Sequence, residues 1–185
     1  MNHSGQESCW RLAAGAPPAA LLAAAEAAPA GAELLKHSPV RCLCRIRAGT
    51  LRAVVKINRE TSLLDRLARL AGLDPARREA AALLRARAAG LPVPEPLAWR
   101  SGPGREVRLL MADLGPLSPL LEALTAPGRG PGLAGALGRL LARLHQAGIQ
   151  HRDLHAGNLR VDSEGRLCLL DLQSARARGG PLRAG

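Results

Sequence analysis

The sequence predicts an α+β fold in two parts, with strands and a helix in the first part and a helix and a small hairpin in the second. Three patterns indicate this fold. Residues 40–47 alternate apolar and polar side chains, the period of a half-buried strand. Residues 76–89 are rich in helix-forming residues. The leucines of residues 133–144 recur at helical spacing, and two short apolar runs follow them.

The first part begins with a predicted β-hairpin. Strands over residues 40–47 and 51–57 flank a turn at 48–50, and the second strand has β-branched residues at its centre. Leucines at helical spacing then predict a short helix over residues 62–70.

The helix over residues 76–89 has clear boundary signals. Asp74 suits the N-cap, Pro75 suits the first helical position, and Gly90 suits the end of the helix. The prolines of residues 91–96 predict extended chain, because each proline disfavours helical geometry in the residue before it. A strand over residues 107–111 follows, after a turn at 101–104.

The second part follows a connector rich in glycine and proline at residues 126–132. Its amphipathic helix ends near Gly148, and short strands are predicted over residues 159–161 and 167–170. We therefore predict three regions along the chain: an Ala/Pro-rich leader over residues 1–33 with a short helix at 19–28, a first lobe with its hinge over 34–114, and a short second lobe over 115–185.

Composition narrows the classes of function. The 185-residue chain carries a net charge of +11, which favours anionic partners such as nucleotide phosphates or an anionic membrane face. It contains no Phe or Tyr, which disfavours the aromatic stacking used to bind single-stranded nucleic acid. The four cysteines show no metal-binding spacing and indicate reduced thiols in a cytoplasmic protein. No apolar run is long enough to span a membrane.

Residues 151–158 carry the strongest chemical signal. They read H-R-D-L-H-A-G-N and match the catalytic-loop pattern H-R-D-L-x-x-x-N. Asn158 precedes one predicted strand and Asp171 follows its partner, so an antiparallel pair about 4.8 Å apart brings these two side by side. Amide and carboxylate oxygens suit Mg²⁺, and Asp153 can accept a proton from a hydroxyl group.

A second signal lies in the predicted strand over residues 51–57. The run Ala53-Val54-Val55-Lys56 resembles V-A-I-K, in which a strand lysine holds the α- and β-phosphates. Only two of the 26 basic residues are lysines, so a lysine at this place suggests a need for a compact ammonium group. Its expected partner is Glu79 on the capped helix, since the alternative, Glu60, is too close in sequence to return on a separate helix.

The runs H-R-D-L-H-A-G-N-L-R-V and L-C-L-L-D-L-Q-S-A-R resemble the lipopolysaccharide kinase family of the Kdo/WaaP type, small relatives of the protein kinases. The run R-R-E-A-A-A-L-L-R-A-R-A-A-G-L-P-V-P-E-P-L resembles it as well. The resemblance covers roughly residues 34–178. It implies a bilobal protein-kinase-like fold that uses ATP and Mg²⁺ to phosphorylate a sugar hydroxyl of the lipopolysaccharide inner core. The expected location is the cytoplasm, at the anionic face of the inner membrane.

The resemblance also implies a role for each candidate residue. Those roles are catalytic base for Asp153, metal ligands for Asn158 and Asp171, phosphate-binding pair for Lys56 and Glu79, and an adenine-binding hinge at residues 111–114 that includes Met111 and Asp113.

Two departures from the family pattern leave other functions open. Residues 36–50 contain one glycine, Gly49, and no G-x-G-x-x-G run, and only 14 residues follow Asp171. From this pattern we expect a second lobe that is minimal or truncated. The alternatives are a small-molecule kinase of the aminoglycoside or fructosamine type, whose loops read H-x-D-L-H-x-x-N, and a pseudokinase-like binding module without turnover. Nucleic acid is the least expected partner.

Overall fold

The computed structural model describes residues 10–13, 15–59, 74–101, 106–128 and 130–178. The chain divides into two compact units, Met1–Ala80 with Pro96–Asp113, and Ala81–Glu95 with Leu114–Gly185. The predicted lobes divide the chain one residue later, after residue 114, but the second unit also takes in residues 81–95. The predicted helix at 62–70 lies outside the described residues.

The first unit contains a six-stranded antiparallel sheet in the order β1-β5-β6-β4-β3-β2. Its strands are β1 (Arg11–Leu12), β2 (Glu33–His37), β3 (Arg41–Ala48), β4 (Leu51–Arg59), β5 (Pro96–Ser101) and β6 (Glu106–Ala112). Strands β3, β4 and β6 confirm the three strands predicted for this part of the chain. Strands β1 and β2 were not predicted, and β5 was expected only in part, as the end of an extended segment.

The fully buried apolar residues of β3 and β4 lie on one face of the sheet. Side chains alternate between the two faces of a strand, so Cys42, Cys44, Val55 and Ile57 share this face and are buried. The helix α1 (Ala19–Ala27) packs on it through Leu21 and other residues of the same cluster. The alternation places Lys56 on the opposite face.

Two thiols of this core are in contact. The Sγ atoms of Cys42 and Cys44 lie 3.1 Å apart, and both residues are buried. The pKa of Cys44 is raised to about 12, mainly by burial and in addition by the neighbouring Cys42. Both cysteines are free thiols.

The described part of the predicted leader is not a separate region. Strand β1 pairs with β5, and α1 covers the sheet. Nη1 of the buried Arg108 donates to the carbonyl oxygens of Ala25, Glu26 and Ala28 at 2.6–3.0 Å. These bonds satisfy carbonyl groups that the end of a helix leaves without partners. The small side chains of this alanine-rich segment let its helix lie close to the sheet.

The helix α2 (Pro75–Ala88) confirms the prediction for residues 76–89 and its capping residues. Oδ1 of Asp74 accepts hydrogen bonds from the backbone N–H groups of Ala76 and Arg77, at 2.8 and 3.3 Å. Gly90 follows the helix with φ of 67°, a conformation that glycine adopts without strain. The cap by Asp74 fixes the start of α2 and therefore the position of Glu79, which is 1% exposed.

Besides the end of α2, the described residues of the second unit form two further α-helices, a 3-10 helix and two small sheets. Its elements are β7 (Ser118–Pro119), α3 (Leu120–Thr125), α4 (Gly130–Gln146), β8 (Ile149–Gln150), a 3-10 helix (Ala156–Asn158), β9 (Leu159–Val161), β10 (Leu167–Leu169) and β11 (Arg176–Ala177). One sheet has the order β10-β9-β7 and the other pairs β11 with β8. The predicted amphipathic helix and terminal hairpin are confirmed. Among the described helices, none is long and apolar enough to cross a membrane.

Candidate active site

The first group of candidate residues is a buried ion pair in the first unit. Nζ of Lys56 lies 2.8 Å from both carboxylate oxygens of Glu79. The two side chains are 4% and 1% exposed. Strand β4 presents the lysine on the face opposite α1, and the capped first turns of α2 present the glutamate. A charge this deeply buried is costly unless it is paired, so each residue depends on the other.

The second group lies in the loop between β8 and β9. Nδ2 of Asn158 donates to the backbone carbonyl oxygen of Asp153 at 2.8 Å, which fixes the end of the loop to the backbone five residues earlier. Nδ1 of His155 accepts a hydrogen bond from the backbone N–H of Gly157 at 3.0 Å. The amide nitrogen of Asn158 is thus used within the loop, and its amide oxygen is the atom suited to a cation. The side chain of Asp153 is exposed.

The hairpin of β9 and β10 places Asn158 and Asp171 at its open end, as the sequence predicts. Leu159 pairs with Leu169, and the backbone N–H of Leu170 donates to the carbonyl oxygen of Asn158 at 2.8 Å. Asp171 is the next residue. Its φ of 54° is unusual for a residue other than glycine and costs free energy, so the surrounding contacts must hold it.

His151 supplies one of these contacts. Its Nε2 lies 2.9 Å from the carbonyl oxygen of Asp171, and its Nδ1 accepts from the backbone N–H of Asp153 at 3.2 Å. Since Nδ1 is an acceptor, a neutral ring carries its proton on Nε2 and donates to Asp171. Burial is the main influence on His151 and lowers its pKa, which favours this neutral form despite the nearby carboxylates of Asp171 and Asp153. His151 therefore links the loop of Asp153 to the backbone of Asp171.

Replacing His151 by Ala should release the backbone of Asp171 and, where Asp171 ligates Mg²⁺ as the sequence predicts, weaken that binding. We expect a tenfold to hundredfold rise in the Mg²⁺ concentration that gives half-maximal thermal stabilisation in the presence of ATP, as for other residues that orient a metal ligand. The matched control is His145→Ala, which changes an exposed histidine of α4. Equal Mg²⁺ requirements for both variants and the unchanged protein would contradict this role.

Met111 and Asp113 lie at the end of β6, also in the first unit. Met111 is 7% exposed. The carboxylate of Asp113 accepts a hydrogen bond from Nε of Arg45 at 2.9 Å, and this side chain is 5% exposed. Sequence reasoning did not identify Arg45, because nothing local relates it to a residue 68 positions away. The alternative partner of Lys56, Glu60, lies outside the described residues.

The donor set of the second unit fits a magnesium ion. Asn158 offers an amide oxygen and Asp171 a carboxylate, both hard ligands, and Mg²⁺ commonly takes one or two carboxylates with phosphate oxygens and water. Within the described residues, no group of three or more His, Cys, Asp and Glu side chains is placed to hold a metal.

Comparison with known proteins gives consistent matches. The profile of the lipopolysaccharide kinase (Kdo/WaaP) family matches residues 50–184. A 3-deoxy-D-manno-octulosonic acid kinase of Xanthomonas axonopodis pv. citri (strain 306) is 43% identical over 84 residues, which cover 44% of this chain and 33% of that protein. The enzyme of the same name from Stenotrophomonas maltophilia (strain R551-3) is 38% identical over 84 residues, with the same coverage. These alignments span about a third of the length of the curated relatives.

A solved structure, WaaP in complex with acyl carrier protein, superposes with a TM-score of 0.63 at 23% identity and covers 94% of this chain and 74% of that chain. This match confirms the predicted α+β, protein-kinase-like fold.

Proposed function

Since the chain belongs to the lipopolysaccharide kinase (Kdo/WaaP) family, we propose that it transfers the γ-phosphoryl group of ATP to a sugar hydroxyl of the lipopolysaccharide inner core. The observation that supports this most is the buried contact of Lys56 with both carboxylate oxygens of Glu79. Such a pair holds an ammonium group at a fixed place. A phosphate-binding lysine requires this arrangement.

Each candidate residue has a distinct role in the proposed reaction. Lys56 contacts the α- and β-phosphates, and Glu79 holds its ammonium group in place. Asp153 accepts the proton of the attacking hydroxyl as the new bond forms between that oxygen and the γ-phosphorus. The bond between the γ-phosphorus and the leaving oxygen breaks, and ADP departs with the electron pair.

The metal ligands support the same reaction. Asn158 and Asp171 hold Mg²⁺, and His151 fixes the backbone of Asp171. When bound, Mg²⁺ neutralises negative charge on the phosphate oxygens.

The proposed acceptor is an anionic glycolipid. The relatives named above are 3-deoxy-D-manno-octulosonic acid kinases, which favours a hydroxyl of that sugar. The net charge of +11 is suited to a phosphorylated glycolipid and to peripheral contact with the anionic cytoplasmic face of the inner membrane. A small-molecule kinase of the aminoglycoside or fructosamine type is the competing assignment, because its loop pattern also fits residues 151–158.

Two measurements test the proposal, the first for nucleotide binding and the second for phosphotransfer. Mg²⁺ with ATP should raise the unfolding temperature of the chain, and Asp171→Asn should abolish that rise. The control is Glu164→Gln, an exposed acid at the closed end of the same hairpin, which should leave the rise intact. A folded protein that Mg²⁺ and ATP do not stabilise would contradict nucleotide binding.

The second measurement follows transfer of label from [γ-³²P]ATP. Lipid A carrying 3-deoxy-D-manno-octulosonic acid should become labelled, whereas an aminoglycoside and fructosamine should not. Labelling of the aminoglycoside or fructosamine alone would replace the proposed acceptor. Stabilisation by ATP without transfer to any of them would support a binding module instead.

A further inference from the structure

On the face of the sheet that carries Lys56, the described residues of β3 and β4 include two partly exposed apolar side chains, Leu43 and Val54. Asn58, the next residue of β4 on this face, is 8% exposed, whereas Val54, the residue before, is half-buried. The neighbouring strand places Leu43 opposite Lys56 and Arg45 opposite Val54. A nucleotide whose phosphates contact Lys56 therefore finds partly exposed apolar side chains for its base at Leu43 and Val54.

Arg45 extends across this apolar surface. It lies on β3, and its Nε donates to Oδ2 of Asp113 at 2.9 Å. Asp113 follows β6, and β4 lies between β3 and β6 in the sheet. Adjacent strands are about 4.8 Å apart, so the arginine side chain must cross β4 close to Val54 to reach that carboxylate.

A second carboxylate holds the same guanidinium from the other side. Nη1 of Arg45 donates to Oε1 of Glu33 on β2 at 2.8 Å. The side chain of Arg45 is 20% exposed, so part of it remains accessible. Two ion pairs fix the plane of the group in advance, which reduces the conformational entropy that binding would otherwise remove.

A fixed planar cation can bind a nucleobase. Guanidinium groups stack on aromatic rings, and the interaction strengthens where water is excluded. The chain contains no Phe or Tyr, so the side chains that most often stack on a base are scarce. We propose that Arg45 packs its guanidinium against the base of ATP and acts as a base-binding residue. This inference rests on the nucleotide binding proposed above.

The test compares two ligands that differ by the nucleoside, ATP and inorganic triphosphate, each with Mg²⁺. In Arg45→Lys the charge remains but the planar group is lost, and in Arg45→Met both are lost. We expect both variants to bind ATP about threefold to thirtyfold more weakly in titration calorimetry, with unchanged affinity for triphosphate. The matched control is Arg47→Met, which removes an exposed arginine two residues along the same strand and should leave both affinities unchanged.

The outcomes separate this inference from the proposed function. If the unchanged protein binds neither ligand, nucleotide binding itself fails, and the inference fails with it. If the unchanged protein binds ATP and the Arg45 variants bind it equally well, only the role of Arg45 is overturned. An equal loss of affinity for ATP and for triphosphate would also overturn it, since the effect of the substitution would then not concern the base.

A further variant keeps the test valid if Arg45→Met fails to fold. Arg45→Met leaves the buried carboxylate of Asp113 without this partner. Glu33→Gln instead weakens the ion pair at Nη1 of Arg45 and keeps the bond to Asp113. Glu33→Gln should weaken ATP binding by a smaller factor and leave triphosphate binding unchanged. If Arg45→Met does not fold, unchanged ATP affinity in both Arg45→Lys and Glu33→Gln overturns the proposal.

Discussion

Replacement of Lys56 by Met is expected to lower the free energy of unfolding by about 3–5 kcal/mol, the usual cost of removing one partner from a buried ion pair. The carboxylate of Glu79 is 1% exposed and would lose its ammonium partner. The double replacement Lys56→Met with Glu79→Leu should recover most of this stability, because apolar residues of similar volume often replace a buried ion pair without loss. All variants that lack Lys56 should lose phosphotransfer.

A double-mutant cycle tests this expectation by urea unfolding. It compares the unchanged protein with Lys56→Met, Glu79→Leu and the double variant. Exposed Lys36→Met is the matched control and should change stability by less than about 0.5 kcal/mol. A double variant as unstable as Lys56→Met would show that the cost does not arise from an unpaired charge. Phosphotransfer by Lys56→Met at the rate of the unchanged protein would exclude a phosphate-binding role.

Asp153→Asn should slow phosphotransfer by roughly a hundredfold to ten thousandfold, the range typical for loss of a general base. The loop should keep its geometry, because the backbone of Asp153, not its side chain, makes the hydrogen bonds with Asn158 and His151. Affinity for ATP and the unfolding temperature should therefore stay unchanged.

Single-turnover transfer at saturating ATP separates the chemical step from binding. Glu122→Gln, an exposed acid on α3, controls for the loss of one negative charge. A large drop in ATP affinity with an unchanged single-turnover rate would assign Asp153 to binding rather than to proton transfer.

Local signals explain which parts of the fold the sequence reveals. The alternation of β3 reflects a sheet with one fully buried apolar face, and this pattern needs no knowledge of distant residues. Asp74 and Gly90 identify the ends of α2 because backbone geometry at helix ends favours these residue types. The juxtaposition of Asn158 and Asp171 follows from hairpin connectivity alone.

The features that were missed depend on contacts between distant segments. Every residue of β2 (Glu33–His37) is exposed, so its composition carries no alternating pattern. Strands β7, β8 and β11 have two residues each, too few to show a period. The ion pair joins Arg45 on β3 to Asp113, which follows β6, and these two strands are not neighbours in the sheet. The chemical roles of the candidate residues remain predictions.

The two buried thiols beneath α1 can report when this helix separates from the sheet. Cys42 and Cys44 are 1% and 0% exposed, so an alkylating reagent reaches them only after the amino-terminal helix has lifted from the sheet. Cys168, on β10 of the other unit, is 8% exposed and reports on a different region. Site-resolved alkylation kinetics would thus time the loosening of each unit separately, without any introduced label.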